Sequence, residues 1–474
     1  MARSVRMVLL LVSLLVVLTA GGILLVWWLV DGDQAGERLE ALLSDALDMD
    51  IDIGSSPRFG LMGGASVTFS DIQLAREGEV MIRADRLRSR LDLTSLLTGD
   101  LQLTELQLQK PELEIERISP GRFNLSPPED EREDLDEFSL RRAEVSAMRL
   151  RYVDRLSGLE WLFEECRLDL RDVAHAGGKA RQALETLVGE GDLHCERLSH
   201  GEFVVAALSA DLMADQGIVE LGPFSASMFD GEATGLLKLD LTSSPPVYSL
   251  DGQISQFDLA TFLAILEPEP SVTGQLDLEM DLHARGRTWQ DVRKGASGSI
   301  QLSSGALLLE GHDLDEELDD YSATQRFNLV DVGAVFLAGP VGLVASRGYT
   351  FTGLIEGDEG STRIDRMISK WSIEDGTAWA SDVAFATEEN RLALSGGLDF
   401  GEYRFEDLKV AVVDGDGCPV IEQRITGPFQ EPDVEQPNFL VTVAGPFLDL
   451  LERGVQAITG EDCDVFYEGS IAHP

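Results

Sequence analysis

Residues 101–115 read Leu-Gln-Leu-Thr-Glu-Leu-Gln-Leu-Gln-Lys-Pro-Glu-Leu-Glu-Ile. Leu101, Leu103, Leu106, Leu108, Leu113 and Ile115 alternate with polar or charged residues, and only Pro111 interrupts them. A period of two belongs to a strand with one dry face and one wet face. Upstream the same pattern runs through Val67 and Phe69, Ile72 and Leu74, Ile82 and Ala84, and Leu91 and Leu93. One helical break is expected, at Thr94 to Leu97 before Gly99. The connections are short, which favours antiparallel pairing over crossover helices.

Downstream, residues 126–137 read Ser-Pro-Pro-Glu-Asp-Glu-Arg-Glu-Asp-Leu-Asp-Glu, a solvated acidic linker. Strand patterning resumes at Leu140 and continues through Leu150, Tyr152, Leu168, Leu170, Phe203, Val205, Ile218, Leu221 and Phe224. A glycine followed by alternating apolar positions recurs at 231–241, carrying Leu237, Leu239 and Leu241, and again at 250–255 and 274–282. That spacing is too loose for a fixed solenoid repeat but suits one sheet extended by similar strands. Short helices are expected at Leu259 to Leu266, Trp289 to Lys294 and Leu314 to Thr324, and β patterning covers most of the remainder. The expected fold is therefore mainly β: an extended antiparallel sheet with a few short helices.

Met7 to Val30 is an uncharged run of about 36 Å as a helix, long enough to cross a bilayer. A cleaved signal peptide is the alternative, but the small residues Thr19 to Gly22 are followed by more apolar sequence ending in Trp27 and Trp28. Arg3 and Arg6 precede the run, while Asp31, Asp33 and Glu37 follow it. The positive-inside bias then puts the N-terminus in the cytoplasm and the body outside. Gln34 to Leu47 carries Leu39, Leu42, Leu43 and Leu47 at helical spacing, a short amphipathic helix expected to pack on the body. The expected organisation is an anchor at 1–30, an N-terminal β region at 31–125, the linker at 126–137, a central β region at 138–270 and a C-terminal β region at 271–474.

Among 474 residues, 38 Lys and Arg face 84 Asp and Glu, a formal charge of −46. Such a chain repels phosphate backbones, so nucleic acid is not an expected partner. Cys166, Cys195, Cys418 and Cys463 allow three pairings in an exported protein. Pairing Cys166 with Cys195 and Cys418 with Cys463 keeps each bridge within one stretch of chain; buried free thiols are the alternative. The histidines His175, His194, His200, His283, His312 and His473 make no zinc spacing, and His194-Cys-Glu196 lacks the rest of a deaminase signature. Asp414-Gly-Asp-Gly417 lacks the carboxylate that closes a calcium loop, and a hairpin turn accounts for it better. There is no nucleophile elbow, phosphate loop or dinucleotide fingerprint. Neither an enzyme nor a bound metal or cofactor is expected.

The order of features at 63–125 resembles the AsmA family of Gram-negative envelope proteins, relatives of the TamB-like proteins and of the bridge-like lipid transfer proteins. The residues that carry this are Val67 to Leu74, then Ala84, Leu87, Leu91 and Leu93, the Leu96-Leu97-x-Gly99 turn, Leu101 to Leu108, Pro111, Leu113 and Ile115, and finally Gly121 and Asn124. Gly298 to Gly305, Gly311-His-Asp-Leu314, Ile425-Thr-Gly-Pro-Phe429 with Pro432, and Cys463, Tyr467, Gly469 and Pro474 resemble the family's C-terminal region. Residues 140–230 share only its general strand character. The resemblance implies a sheet curved into a trough whose apolar inner face carries lipid tails for outer-membrane biogenesis and lipid homeostasis. The implied setting is the inner membrane, with the body in the periplasm and membrane phospholipids and other envelope proteins as partners. Groove candidates are Val67, Phe69, Ile72, Leu74, Leu91, Leu93, Leu101, Leu103, Leu106, Leu108, Leu113, Ile115, Leu237, Leu239 and Leu241. The alternative function is a non-enzymatic assembly factor acting on outer-membrane proteins through its acidic surface.

Overall fold

The computed structural model describes residues 50–55, 58–60, 65–76, 79–91, 103–119, 122–124, 134–135, 137–179, 183–265, 272–318, 360–436, 438–439 and 463–474. The run at 7–30, the helix expected at 34–47 and the break at 94–97 lie outside these residues. No described helix is long and apolar enough to cross a membrane. The chain is mainly β and divides into two compact units, Met1–Ser227 with Gly235–Ser244, and Met228–Thr234 with Pro245–Pro474.

In the first unit, β1 (Asp50–Ile53) and β2 (Arg58–Gly60) both pair with β3 (Ala65–Arg76), which pairs with β4 (Glu79–Leu91) and through it with β5 (Leu103–Ser119). β6 (Arg122–Phe123) folds back on β5, and β7 (Asp134–Leu135) pairs with β10 (Gly178–Lys179). The sheet continues from β5 to β8 (Phe138–Asp154) and β9 (Leu159–His175), then to β11 (Leu187–His200) and β12 (Phe203–Asp215). The single helical turn α1 (Ala183–Thr186) precedes β11, and β13 (Ile218–Met228) and β14 (Gly231–Asp240) follow β12.

The expectation of a purely antiparallel sheet is corrected at one place: β5 and β8 pair in parallel, from Glu105 opposite Arg142 to Arg117 opposite Asp154. A tight turn reverses the chain, whereas parallel neighbours need a connection that returns the full length of a strand. Residues 120–137 supply that connection.

The strands are kinked at a shared place. Asp71, Lys110, Ala147, Glu165 and Ala207 all have φ between 46° and 55°. The ladders skip from Ser70–Arg86 to Ile72–Ala84, from Gln109–Ser146 to Glu112–Arg149, and from Val145–Leu168 to Met148–Cys166. Left-handed residues cost about 1 kcal/mol or more each when they carry a Cβ, so their alignment marks a built crease, with a β-bulge where β8 meets β9. At the crease the inward positions shift by one, from Phe69 to Ile72 in β3 and from Val145 to Met148 in β8. The bond between Cys166 and Cys195 joins β9 to β11 along this line.

In the second unit, β15 (Val247–Asp258), β16 (Val272–Arg285) and β17 (Ser297–Glu310) form an antiparallel run. Two short helices interrupt it. α2 (Leu259–Leu263) starts where the Asp258 carboxylate accepts the Thr261 N–H at 2.7 Å, and α3 (Trp289–Lys294) starts with a Thr288–Asp291 capping box. The third helical expectation, from Leu314, holds through residue 318, after which the chain leaves the described residues. β17 pairs with both β18 (Ser361–Ile364) and β19 (Arg366–Glu374). β20 (Thr377–Ala386), β21 (Arg391–Asp399), β22 (Arg404–Val413) and β23 (Pro419–Pro428) follow in order, with β24 (Asp433–Val434) and β25 (Asn438–Phe439) on β23.

Residues 463–474 pack against this last part of the sheet. Ala384, Ala393 and Ala411 are consecutive register partners, each fully buried, and they share a core with Tyr467 and Ile471. Such small side chains let another segment approach the sheet closely. The tail is bonded through Cys418–Cys463, and Phe466 and Tyr467 N–H both donate to the Gly417 carbonyl at 2.9 and 3.1 Å. Gly417 has φ 81°, and a Cβ there would run into the Tyr467 carbonyl. The Tyr467 hydroxyl donates to Asp382 Oδ1 at 2.6 Å and accepts from the Ile471 N–H at 3.1 Å.

Burial, and then the bond to the Asp382 carboxylate, raises the pKa of the Tyr467 hydroxyl. The neutral phenol is thus favoured by the folded state, so its contribution is complete below about pH 10 and is lost as the pH rises further. Tyr467→Phe leaves the buried Ile471 N–H without its partner and takes one donor from the half-buried Asp382 carboxylate, and should cost ~1–3 kcal/mol at neutral pH. It should also flatten the alkaline fall in stability; thermal unfolding of both proteins on either side of about pH 10 measures this.

Candidate functional site

Register partners in a sheet point the same way, so the pairings show which side chains share a face. One row runs Ile51, Leu74, Ile82, Leu113, Leu150, Phe163, Leu198 and Val205 across β1, β3, β4, β5, β8, β9, β11 and β12. On the other side of the crease a second row runs Phe69, Leu87, Leu108, Val145, Leu168, Leu193 and Ala210. Neither row contains a polar residue.

Burial along these rows changes part-way. Phe69 and Leu87 are 0% exposed, and Leu74, Ile82 and Leu113 are also buried, whereas Val145, Leu150, Phe163, Leu168, Leu193, Leu198 and Val205 are only half-buried. At the strand ends Ile115, Tyr152 and Trp161 continue the face, and Trp161 stacks on His200 with centroids 5.2 Å apart and meets Phe203 edge-on at 5.8 Å.

In the second unit the rows Ile254–Leu278–Leu302 and Leu250–Leu282 are built the same way, with Leu250, Met280, Leu282 and Ile300 half-buried. Further along, Met367, Phe385, Leu392, Val412 and Ile421 are successive partners and all are buried. The helical residues 314–318 are pinned beside this sealed part. The Leu314 N–H donates to Thr362 Oγ1 at 2.7 Å, and Asp315 Oδ1 accepts from Thr387 Oγ1 at 2.6 Å and Asn390 Nδ2 at 2.7 Å.

The opposite face of the first unit is charged and cross-paired. Arg90 bonds Glu105, Arg151 bonds Glu160 and Arg171 bonds Asp192, each at 2.7 Å, and Arg142 bonds Asp169. The hydrogen bond from Arg142, reinforced by its charge, holds the Asp169 carboxyl below the usual carboxylate range. Exposed pairs of this kind contribute little stability but keep the face wet.

Of the named groove positions, Val67, Phe69, Ile72, Leu74, Leu106, Leu113 and Ile115 belong to one packed core, and Leu108 lies half-buried beside it. Leu91 and Leu103 are strand partners whose side chains lie outside the described residues, as do Leu93 and Leu101 altogether. Leu237 is exposed, while Leu239 and Leu241 are half-buried. Sequence reasoning missed the half-buried positions between 145 and 205. The signal was present: the apolar phase slips at Phe163/Cys166 and Val205/Leu208 as it does at Phe69/Ile72.

Among the described residues no group of three or more His, Cys, Asp or Glu is placed to hold a metal ion. His175 bonds Thr186 through Nδ1 at 2.6 Å, and burial lowers its pKa. Asp414 Oδ1 accepts the Asp416 and Cys418 N–H groups at 3.0 and 2.9 Å, the geometry of a turn closed on itself.

The family model described as AsmA family matches residues 158–382. That match, over a little under half of the chain, is to the same family that the sequence resembles. It takes in β9 to β13, where sequence reading had found only general strand character, together with Gly298 to Gly305 and Gly311 to Leu314; the resemblances at 63–125 and beyond 425 lie outside it. No curated protein and no solved structure matches the chain.

Substitutions should separate the two parts of the AsmA-family sheet face. Phe69→Ala should cost ~3–5 kcal/mol and Leu87→Ala ~2–5 kcal/mol, because each opens a sealed core. Leu168→Ser and Leu193→Ser should each cost only about 1 kcal/mol. Thermal unfolding of the four variants checks the order.

Proposed function

We propose that this chain is a non-enzymatic, inner-membrane-anchored periplasmic protein that holds phospholipid acyl chains on its apolar sheet face, serving outer-membrane biogenesis and lipid balance. The observation that carries the reading is the pair of unbroken apolar rows, one half-buried from β8 to Val205 on β12 and the other half-buried from β8 to β11 before it ends at the buried Ala210. Leaving such surface in water costs about 25 cal/mol for each Å². The described helices are only one to two turns long and cannot cover rows of this extent.

An acyl chain suits the rows by shape. Four neighbouring strands at ~4.8 Å spacing give a row of about 14 Å, close to half of a bilayer's ~30 Å hydrocarbon. Each buried methylene adds about 0.8 kcal/mol, so one chain laid along a row would hold without any polar contact. The AsmA-family match supports an envelope role, and the run at 7–30 supports the anchor.

The test is lipid analysis by mass spectrometry of the intact protein purified from membranes. Phospholipid should co-purify with the wild type, and a Phe163→Asp/Leu193→Asp protein of near-normal thermal stability should retain several-fold less. Equal retention by both, or none by the wild type, would overturn the reading and favour the surface-acting assembly factor.

A further inference from the structure

The charged face of the first unit carries a group of neighbouring arginines that no described carboxylate pairs. Arg58, Thr68, Arg88 and Gln107 are successive partners across β2, β3, β4 and β5, and the adjacent row reads Ser70, Arg86 and Gln109. From β2 to β5 neither row contains a carboxylate, and the first continues on β8 to Glu144, opposite Gln107. Among the described residues Arg58, Arg86 and Arg88 make no ion pair, and Arg86 only donates to Gln109 Oε1 at 3.3 Å. Elsewhere on this unit Arg90, Arg117, Arg142, Arg149, Arg151, Arg155, Arg171 and Arg197 each have an acidic partner. The neighbouring acids are Glu105, held by Arg90, Asp85, paired with Lys110 at 3.4 Å, Glu144, opposite Gln107 and 3.9 Å from Arg142, and Glu112, opposite Arg83 in the next row.

Three guanidinium groups interleaved with two hydroxyls and two amides make a donor-rich surface that fits phosphate oxygens. β1 starts at Asp50, after a connection of 31–49 from the apolar run. We propose that the Arg58, Arg86 and Arg88 cluster docks on the anionic phosphate headgroups of the membrane that anchors the chain. The proposal rests on the anchored reading above, not on the lipid-holding one. A basic side chain at an anionic surface strengthens attachment about fivefold, enough for three together to hold β2 to β4 against the bilayer while the net charge of −46 keeps the remainder off it.

The test is arginine labelling with phenylglyoxal, read by peptide mass spectrometry on the intact chain in nanodiscs. In discs containing phosphatidylglycerol, Arg58, Arg86 and Arg88 should label several-fold more slowly than in phosphatidylcholine discs, and high salt should abolish the difference. Arg141 and Arg167, exposed on β8 and β9, should label alike in both. An Arg86→Glu/Arg88→Glu protein should lose the protection of Arg58. Equal labelling in both discs overturns the docking and leaves the anchor standing. Protection already present in detergent means that a protein segment covers the cluster, and likewise overturns it. A chain that does not enter discs sinks anchor and docking together.

Discussion

A long strand with apolar residues at every second position cannot be left alone in water, and among the described residues little is available to cover such strands. Single-turn helices lie between strands up to 17 residues long. Sheet faces are ordinarily closed by helices or by a second sheet. Here the cover is uneven: in the first unit the face is sealed from β1 to β5 and half-covered from β8 to β12, and in the second it is sealed from β19 to β23. A filled interior would give uniform burial along each row. The decline within an apolar row instead separates close packing from a face that the described residues leave partly open.

The crease shows how the strands keep one dry face while bending. Without a bulge, a strand that turns sharply at its middle loses its pairing; with one, it gains local twist and a shift of phase. The shift must be matched in sequence or the second half of the strand would turn its apolar residues to water. It is matched: Phe69 gives way to Ile72, Leu108 to Leu113, Val145 to Met148 and Val205 to Leu208. Asp71, Lys110, Ala147, Glu165 and Ala207 sit left-handed at or beside these slips without being glycine. Their cost is borne by the neighbouring ladders, and Cys166–Cys195 holds two of the strands together there.

Much of this was legible from alternation alone. The strand character of 65–76, 79–91 and 103–119, the short helices at Leu259 and Trp289 and the turn at Asp414 all follow from local pattern, because period, capping residues and glycine placement act over a few positions. What was not legible depends on distant partners. The acidic segment after Ser126 reads as a linker, but nothing in it states that it returns the chain to make β5 and β8 parallel. Leu106 and Leu168 look alike in sequence; one is 4% exposed and the other half-buried, because cover is a property of what else reaches the face. The candidate groove residues were accordingly drawn from the strongest alternation, which belongs to the best-packed strands. Strong alternation favours packing, whereas the weaker pattern of 145–212 leaves room.

The two faces together constrain how the sheet can act. If the half-buried rows hold acyl chains, the face behind them must remain wet, since a sheet apolar on both sides would aggregate at its edges and surfaces. Cross-strand arginine pairs such as Arg171–Asp192 do this without adding charge, while the acidic excess elsewhere sets the sign of the whole. The closing segment of the second unit uses the opposite device: Ala384, Ala393 and Ala411 replace charged residues on a face that Tyr467 and Ile471 then cover. A sheet face is thus kept dry by protein where its side chains are small and kept wet where they are paired ions. Among the described residues, the half-buried apolar side chains of β8 to β12 belong to neither class.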